Sequence, residues 1–224
     1  LQERRVDGII IAPTSGINLD YYQQFKNERL PFIFIDKYLP EIEAARIIVD
    51  NKKGAYLAVK HLIEKGHKKI ALLSGPEYPC TTIEERFQGY TEALNENNIT
   101  YKKIIKTDKN IYNQRESGYQ AAKKFLTNND GATAIFAIND SIALGALRAI
   151  REAGLKVPKD MAVVGFNDDD ILSYLEHPLT TISVPKYEMG IKAAQLLINI
   201  IEAESNDSKK IIKLYPKLLI RETT

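Results

Sequence analysis

The sequence predicts a layered α/β protein built from parallel βαβ units, and three observations carry that expectation. Short apolar runs rich in β-branched and aromatic residues recur along the chain, as in VDGIIIA (Val6–Ala12), LPFIFID (Leu30–Asp36) and KIALLS (Lys69–Ser74). Continuous apolarity of this kind marks strands buried on both faces. Segments with apolar residues at helical spacing lie between them. One stretch, Ala134–Gly154, shows the whole unit. Ala134–Ile138 is a buried-type strand, Asn139-Asp140-Ser141 is a turn of residues that all suit a helix N-cap, and Ile142, Ala146, Ile150 and Ala153 then repeat at helical spacing up to the stop Gly154.

The other elements follow in order. Leu1–Arg5 reads as the end of a helix, which points to preceding residues. Val6–Ala12 is a strand closed by Pro13, Leu19–Glu28 carries a weak helical pattern, and Leu30–Asp36 is a strand ending in a carboxylate. Lys37–Ala45 is a polar connector. Arg46–Val49 is a third strand, and Asp50-Asn51 is a capping pair before the helix Lys52–Lys65, whose face Ala55, Val59, Leu62 and Ile63 is stopped by Gly66. Lys69–Ser74 leads through a two-proline loop, Gly75–Thr82, into the helix Ile83–Asn95. Ile104-Ile105 is a short strand and Ser117–Leu126 a helix. Beyond Gly154 come the strand Met161–Phe166, the acidic turn Asn167–Asp170, an extended piece Leu179–Ser183, and a long helix from Pro185 to about Glu204. Ser205–Lys210 is a polar turn, and Ile211–Ile220 is a last strand region broken by Pro216.

Bulk properties narrow the function. The 224 residues are 44% hydrophobic and 27% charged, which fits a folded chain of one large or two modest domains. Basic and acidic residues nearly balance (31 against 29, net +2), so there is no electrostatic footprint for nucleic acid or an anionic membrane. The single Cys80 excludes an internal disulfide, and His61, His67 and His177 lack metal-ligand spacing. No nucleophile elbow, phosphate loop, zinc motif or dinucleotide fingerprint is present, so no enzyme chemistry, metal or cofactor is expected.

What remains is a set of polar residues at the predicted carboxyl ends of strands: Asp36, Asp50, Asn139, and Asn167 with Asp168. Arg86 adds a guanidinium on the helix after the Gly75–Thr82 loop. In a doubly wound sheet this rim is where ligands are held. Carboxylates, amides and an arginine fork suit a hydroxyl-rich ligand, because each hydroxyl donates and accepts. Tyr78, Tyr112 and Phe166 are aromatics placed to stack on a sugar ring, core packing being the alternative for Phe166. Singly, each polar residue reads more often as a helix cap or surface group and only together do they ring one crevice, and Asn167–Asp170 reads as capping rather than as a calcium loop.

The motifs VDGII (Val6–Ile10), HLIEKGHKKIALLSG (His61–Gly75), RFQGY (Arg86–Tyr90), TAIFAINDSIALGAL (Thr133–Leu147), VPKDMAVVGFND (Val157–Asp168), HPLTTISVPKYEMG (His177–Gly190) and the terminal LLIRET closely resemble the LacI/GalR family of bacterial transcription regulators. The resemblance runs the length of the chain. It implies two Rossmann-like subdomains of the periplasmic-binding-protein type, residues 1–48 completed by 185–210 and residues 49–184 completed by 211–224. It also implies a small effector, a sugar or sugar derivative, in an interlobe cleft. Carried over by motif, the effector contacts are Asp36, Arg86, Asn139, Asn167 and Asp168, with Val49 as an apolar wall and Tyr112 or Asn113 as a side wall. Asn167 departs from the family, which usually has Asp there. The family's helix-turn-helix and its first βαβ unit do not appear in these residues, so the resemblance implies a cytoplasmic homodimer that reaches operator DNA through an upstream segment. A periplasmic sugar-binding protein of a transporter shares the fold and is the alternative.

Overall fold

The computed structural model describes residues 6–13, 19–75, 80–128, 130–202 and 209–224. The readings for Leu1–Arg5, for Tyr78 and for the tail of the last helix with the turn after it (203–208) fall outside these residues. The chain divides into two compact units, Leu1–Asp50 with Pro79–Thr82 and Pro185–Tyr215, and Asn51–Tyr78 with Ile83–Val184 and Pro216–Thr224.

The first unit holds a four-stranded sheet of β1 (Ile9–Ile11), β2 (Phe32–Ile35), β3 (Arg46–Val49) and β9 (Ile211–Leu214) in the order β1-β2-β3-β9, every pair parallel. Helix α1 (Asp20–Asn27) sets Tyr22 and Phe25 against Phe32 and Phe34, with ring centroids 5.5–6.2 Å apart, a spacing at which tilted and edge-on aromatic pairs attract. Helix α6 (Lys186–Ile201) packs on β1–β3. Gly8 lets it come close, since a Cβ there would stand 2.9 Å from the Ile201 side chain and 3.2 Å from the Pro31 carbonyl.

The second unit holds a six-stranded sheet in the order β10-β8-β7-β6-β4-β5. Its strands are β4 (Ile70–Ser74), β5 (Lys103–Lys106), β6 (Ala134–Ala137), β7 (Ala162–Asn167), β8 (Thr180–Ser183) and β10 (Lys217–Leu219). All pairs are parallel except β8 with β10. Four helices cover the sheet: α2 (Asn51–Glu64), α3 (Thr81–Glu96), α4 (Gln114–Thr127) and α5 (Asp140–Glu152). Neighbouring residues on β7 point to opposite faces. Phe166 reaches Gly54 of α2 while Gly165 faces Asp140 of α5, so those two helices lie on opposite sides of the sheet. Helices α4 and α5 touch backbone to backbone through Gly118 and Gly145. The strands β4, β6 and β7 are buried nearly throughout, as their unbroken apolar runs predict.

Two expectations need correction. The region Ile211–Ile220 breaks at Pro216 as expected, but its two halves do not share a unit: β9 pairs with β3 in the first unit, and β10 pairs with β8 in the second. The chain therefore changes unit between Tyr215 and Pro216, not after Lys210, and the first change falls after Asp50. Proline has no N–H for a ladder and ends the first pairing. The turn Asn167–Asp170 does not cap a helix through its side chains. A short 3-10 helix, Asp170–Tyr174, follows, and Asp169 at its N-cap position makes no side-chain cap bond.

Candidate functional site

The carboxyl ends of the parallel strands β4 to β8 lie along one edge of the second unit's sheet, and Arg86 joins two of them. Its helix, α3, places the guanidinium where it is 6% exposed. Nε donates to Asn51 Oδ1 at 2.9 Å, Nη1 to the Ile138 carbonyl just past β6 at 2.7 Å, and Nη2 to Asn167 Oδ1 at the end of β7 at 3.2 Å. The guanidinium plane lies over the Phe166 ring, 3.6 Å from its centroid, a cation–π contact strengthened by exclusion of water. Asn51, itself 1% exposed, also donates to Glu85 at 3.2 Å.

Backbone geometry singles out the end of β7 as well, where Asn167 and Asp168 have φ of 115° and 59°. In the first unit, taken by itself, Asp36 just past β2 has φ of 67°. Asparagine and aspartate tolerate the left-handed region better than other non-glycine residues, and such outliers persist where surroundings fix them. Here Asp168 pairs with Arg221 Nη2 at 2.7 Å, whose Nη1 donates to the Leu179 carbonyl at 2.9 Å. The next amide, Asp169 N–H, donates to Asp140 Oδ2 at 3.0 Å, and Asp140 Oδ1 accepts from the Thr181 hydroxyl at 2.6 Å. Asp140 is completely buried, and burial raises its pKa above the ordinary carboxylate value against the lowering effect of those donors.

The sequence-derived residues fall into different settings. Arg86 and Asn167 are directly bonded, with Asp168 adjacent. Asn139 follows the carbonyl that Arg86 grips, but its own side chain is engaged: Oδ1 accepts from Ile142 N–H at 2.9 Å as the N-cap of α5, and Nδ2 donates to Gln114 at 3.1 Å. Asn113 is likewise the N-cap of α4. Tyr112 is fully exposed. Asp36 and Val49 belong to the first unit, where Val49 is 1% exposed, in the interior. Asp50 forms an ion pair there with Lys213 at 3.8 Å.

Sequence reading missed three members of this arrangement. Asn51 carried a signal, as half of a capping pair, but its hold on Arg86 spans 35 positions. Asp140 read as a cap and is instead a buried tie between α5, β8 and the turn after β7. Arg221 sat inside the LLIRET motif without an assigned partner. Among the described residues no cluster of histidine, cysteine and acidic side chains is placed to hold a metal ion. The unit also carries a groove of about 760 Å³ lined by Leu144, Leu147, Leu155, Val157 and Leu175 beside Arg148, Arg151 and His177.

Sheets with helices on their faces and polar groups gathered at strand ends define a protein of the periplasmic binding protein-like class, and residues 59–224 match that domain family. The chain is 34% identical over 224 residues to the transcriptional repressor PurR of Vibrio vulnificus and 37% identical over 228 residues to that of Histophilus somni. It spans 66% of the length of these curated relatives, and they match it along its whole length. A LacI-family regulator from Enterococcus faecium solved with bound ribose superposes with a TM-score of 0.89 at 32% identity, covering 99% of this chain and 80% of that one. The lac repressor dimer bound to operator and an anti-inducer gives 0.84 at 30% identity, covering 100% and 75%. The chain belongs to the LacI family of transcriptional regulators.

Proposed function

We propose that this chain is the effector-binding and dimerisation core of a LacI-type regulator, taking a small sugar-like molecule and passing its presence to a DNA-reading segment. The observation that carries the reading is the Arg86 clamp on two neighbouring strand ends, next to the left-handed pair Asn167-Asp168. Polar groups fixed in advance at strand ends recognise a polar metabolite with little ordering cost on binding. Asp36, Arg86, Asn139, Asn167 and Asp168 are the proposed contacts. The ribose-bound relative, and a cellobiose complex of the regulator CelR at 30% identity, support a sugar as the effector. The repressor relatives favour a cytoplasmic regulator over a transporter's binding protein.

Effector occupancy acts by favouring one arrangement of the two units, with a coupling of about 1–3 kcal/mol. The apolar groove beside α5 receives a second copy of the chain, a reading that the lac repressor dimer supports. The effector site is tested by calorimetric titration of D-ribose and cellobiose into wild type and Asp36→Asn, which keeps a residue tolerant of positive φ. Binding at least about tenfold weaker in the variant is expected, a loss of about 1.4 kcal/mol. Equal affinity removes Asp36 from the site.

A further inference from the structure

The amide of Asn167 has its orientation dictated by its neighbour. Asn167 Oδ1 accepts from Arg86 Nη2 at 3.2 Å. A guanidinium has donors and no acceptor, so the flipped amide would set N–H against N–H. Arg86 does not turn away to relieve this, because Asn51, the Ile138 carbonyl and the Phe166 ring hold its other edges and its face. Nor does the backbone yield readily at 167–168, pinned by the Arg221–Asp168 pair and by Asp140 on Asp169 N–H. The carbonyl half of the amide is thus used, and the Nδ2 half of this partly exposed side chain has no hydrogen-bond partner among the described residues.

We infer that Asn167 is a specificity-determining residue whose free hydrogen-bonding group is the Nδ2 donor, its Oδ1 already being engaged by Arg86. The effector group favoured there is an acceptor, a hydroxyl oxygen, a carbonyl or an anionic oxygen, over a ring N–H. A carboxylate at 167 would behave differently, accepting from Arg86 with one oxygen and from a ligand N–H with the other. This inference rests on the effector-site reading and names the class of group the site selects.

The test is calorimetric titration of wild type and Asn167→Asp with D-ribose, D-ribono-1,4-lactone (a carbonyl acceptor in place of the anomeric hydroxyl) and hypoxanthine, whose ring carries N–H donors. Wild type is expected to bind the lactone at least about tenfold more tightly than N167D does, and N167D to bind hypoxanthine at least about tenfold more tightly than wild type does, each ratio being about 1.4 kcal/mol. If the probes bind and neither ratio departs from one, the inference fails while the effector site stands. If no probe binds either protein, the effector reading fails and takes the inference with it. A readout that does not need the variant is the Asn167 Nδ2 amide cross-peak in the wild-type NMR spectrum. It shifts on saturation with a bound acceptor probe, and a cross-peak left unmoved overturns the assignment.

Discussion

Replacing Arg86 by methionine keeps the length and apolar stem of the side chain and deletes the guanidinium. Asn51 Oδ1, the Ile138 carbonyl and Asn167 Oδ1 each lose a donor. Asn167 is partly exposed and regains water. The other two are buried, and a buried acceptor left unmet costs about 1–3 kcal/mol, giving about 2–6 kcal/mol for the pair. Part is returned because a charge no longer has to be kept out of water. A net loss of about 2–4 kcal/mol is expected, well inside the stability of an ordinary domain. At about 2–4 °C per kcal/mol for a unit of this size, the ligand-free melting temperature should fall by roughly 5–15 °C. Differential scanning calorimetry of both proteins without ligand reads this directly, with Lys124→Met at an exposed position of α4 as the control. A fall under about 2 °C would show that the guanidinium does not hold the strand ends together. It also follows that lost effector binding in an Arg86 variant mixes two effects, so binding must be compared well below the variant's melting temperature.

Three further outcomes are expected. Gly145→Ala puts a methyl against the Arg115 carbonyl and the Tyr119 amide nitrogen, both backbone, so α4 and α5 must separate; a loss of about 2–4 kcal/mol in urea unfolding is expected, whereas Gly190→Ala on α6, with open space around it, gains up to about 1 kcal/mol. His61, buried with Nε2 2.8 Å from the Thr224 hydroxyl, and His67 are both held below the ordinary imidazole pKa, chiefly by burial. Stability from a lowered imidazole pKa is present above the unfolded value near 6.5 and lost as pH falls through it. The unfolding free energy should therefore drop between pH 7.5 and 5.5 by up to about 1.4 kcal/mol per pH unit for His61, and His61→Gln should flatten that slope. Leu144→Arg, which sets a charge among the leucines of the groove, should shift sedimentation toward the monomer with the melting temperature little changed; an unchanged sedimentation coefficient would place the dimer surface elsewhere.

The sequence by itself determined the alternation of strands and helices, because burial on two faces demands unbroken apolar runs and burial on one helical face demands the longer spacing. It also determined which residues stand at strand ends, since Asp36, Asn139 and Asn167 each follow such a run directly. Tertiary structure decided what those residues do. Asn139 and Asn167 are the same side chain after the same kind of strand, yet one caps α5 and the other receives Arg86. The cap bond of Asn139 goes to Ile142, three positions on, as the local pattern signals, whereas the partner of Asn167 is Arg86, 81 positions away, which no local pattern encodes. Likewise β9 and β10 are three residues apart but belong to different sheets, because strand pairing is settled by β3 and β8, far upstream in the chain. Periodicity records whether a residue is buried, but which groups meet is fixed only when distant segments pack.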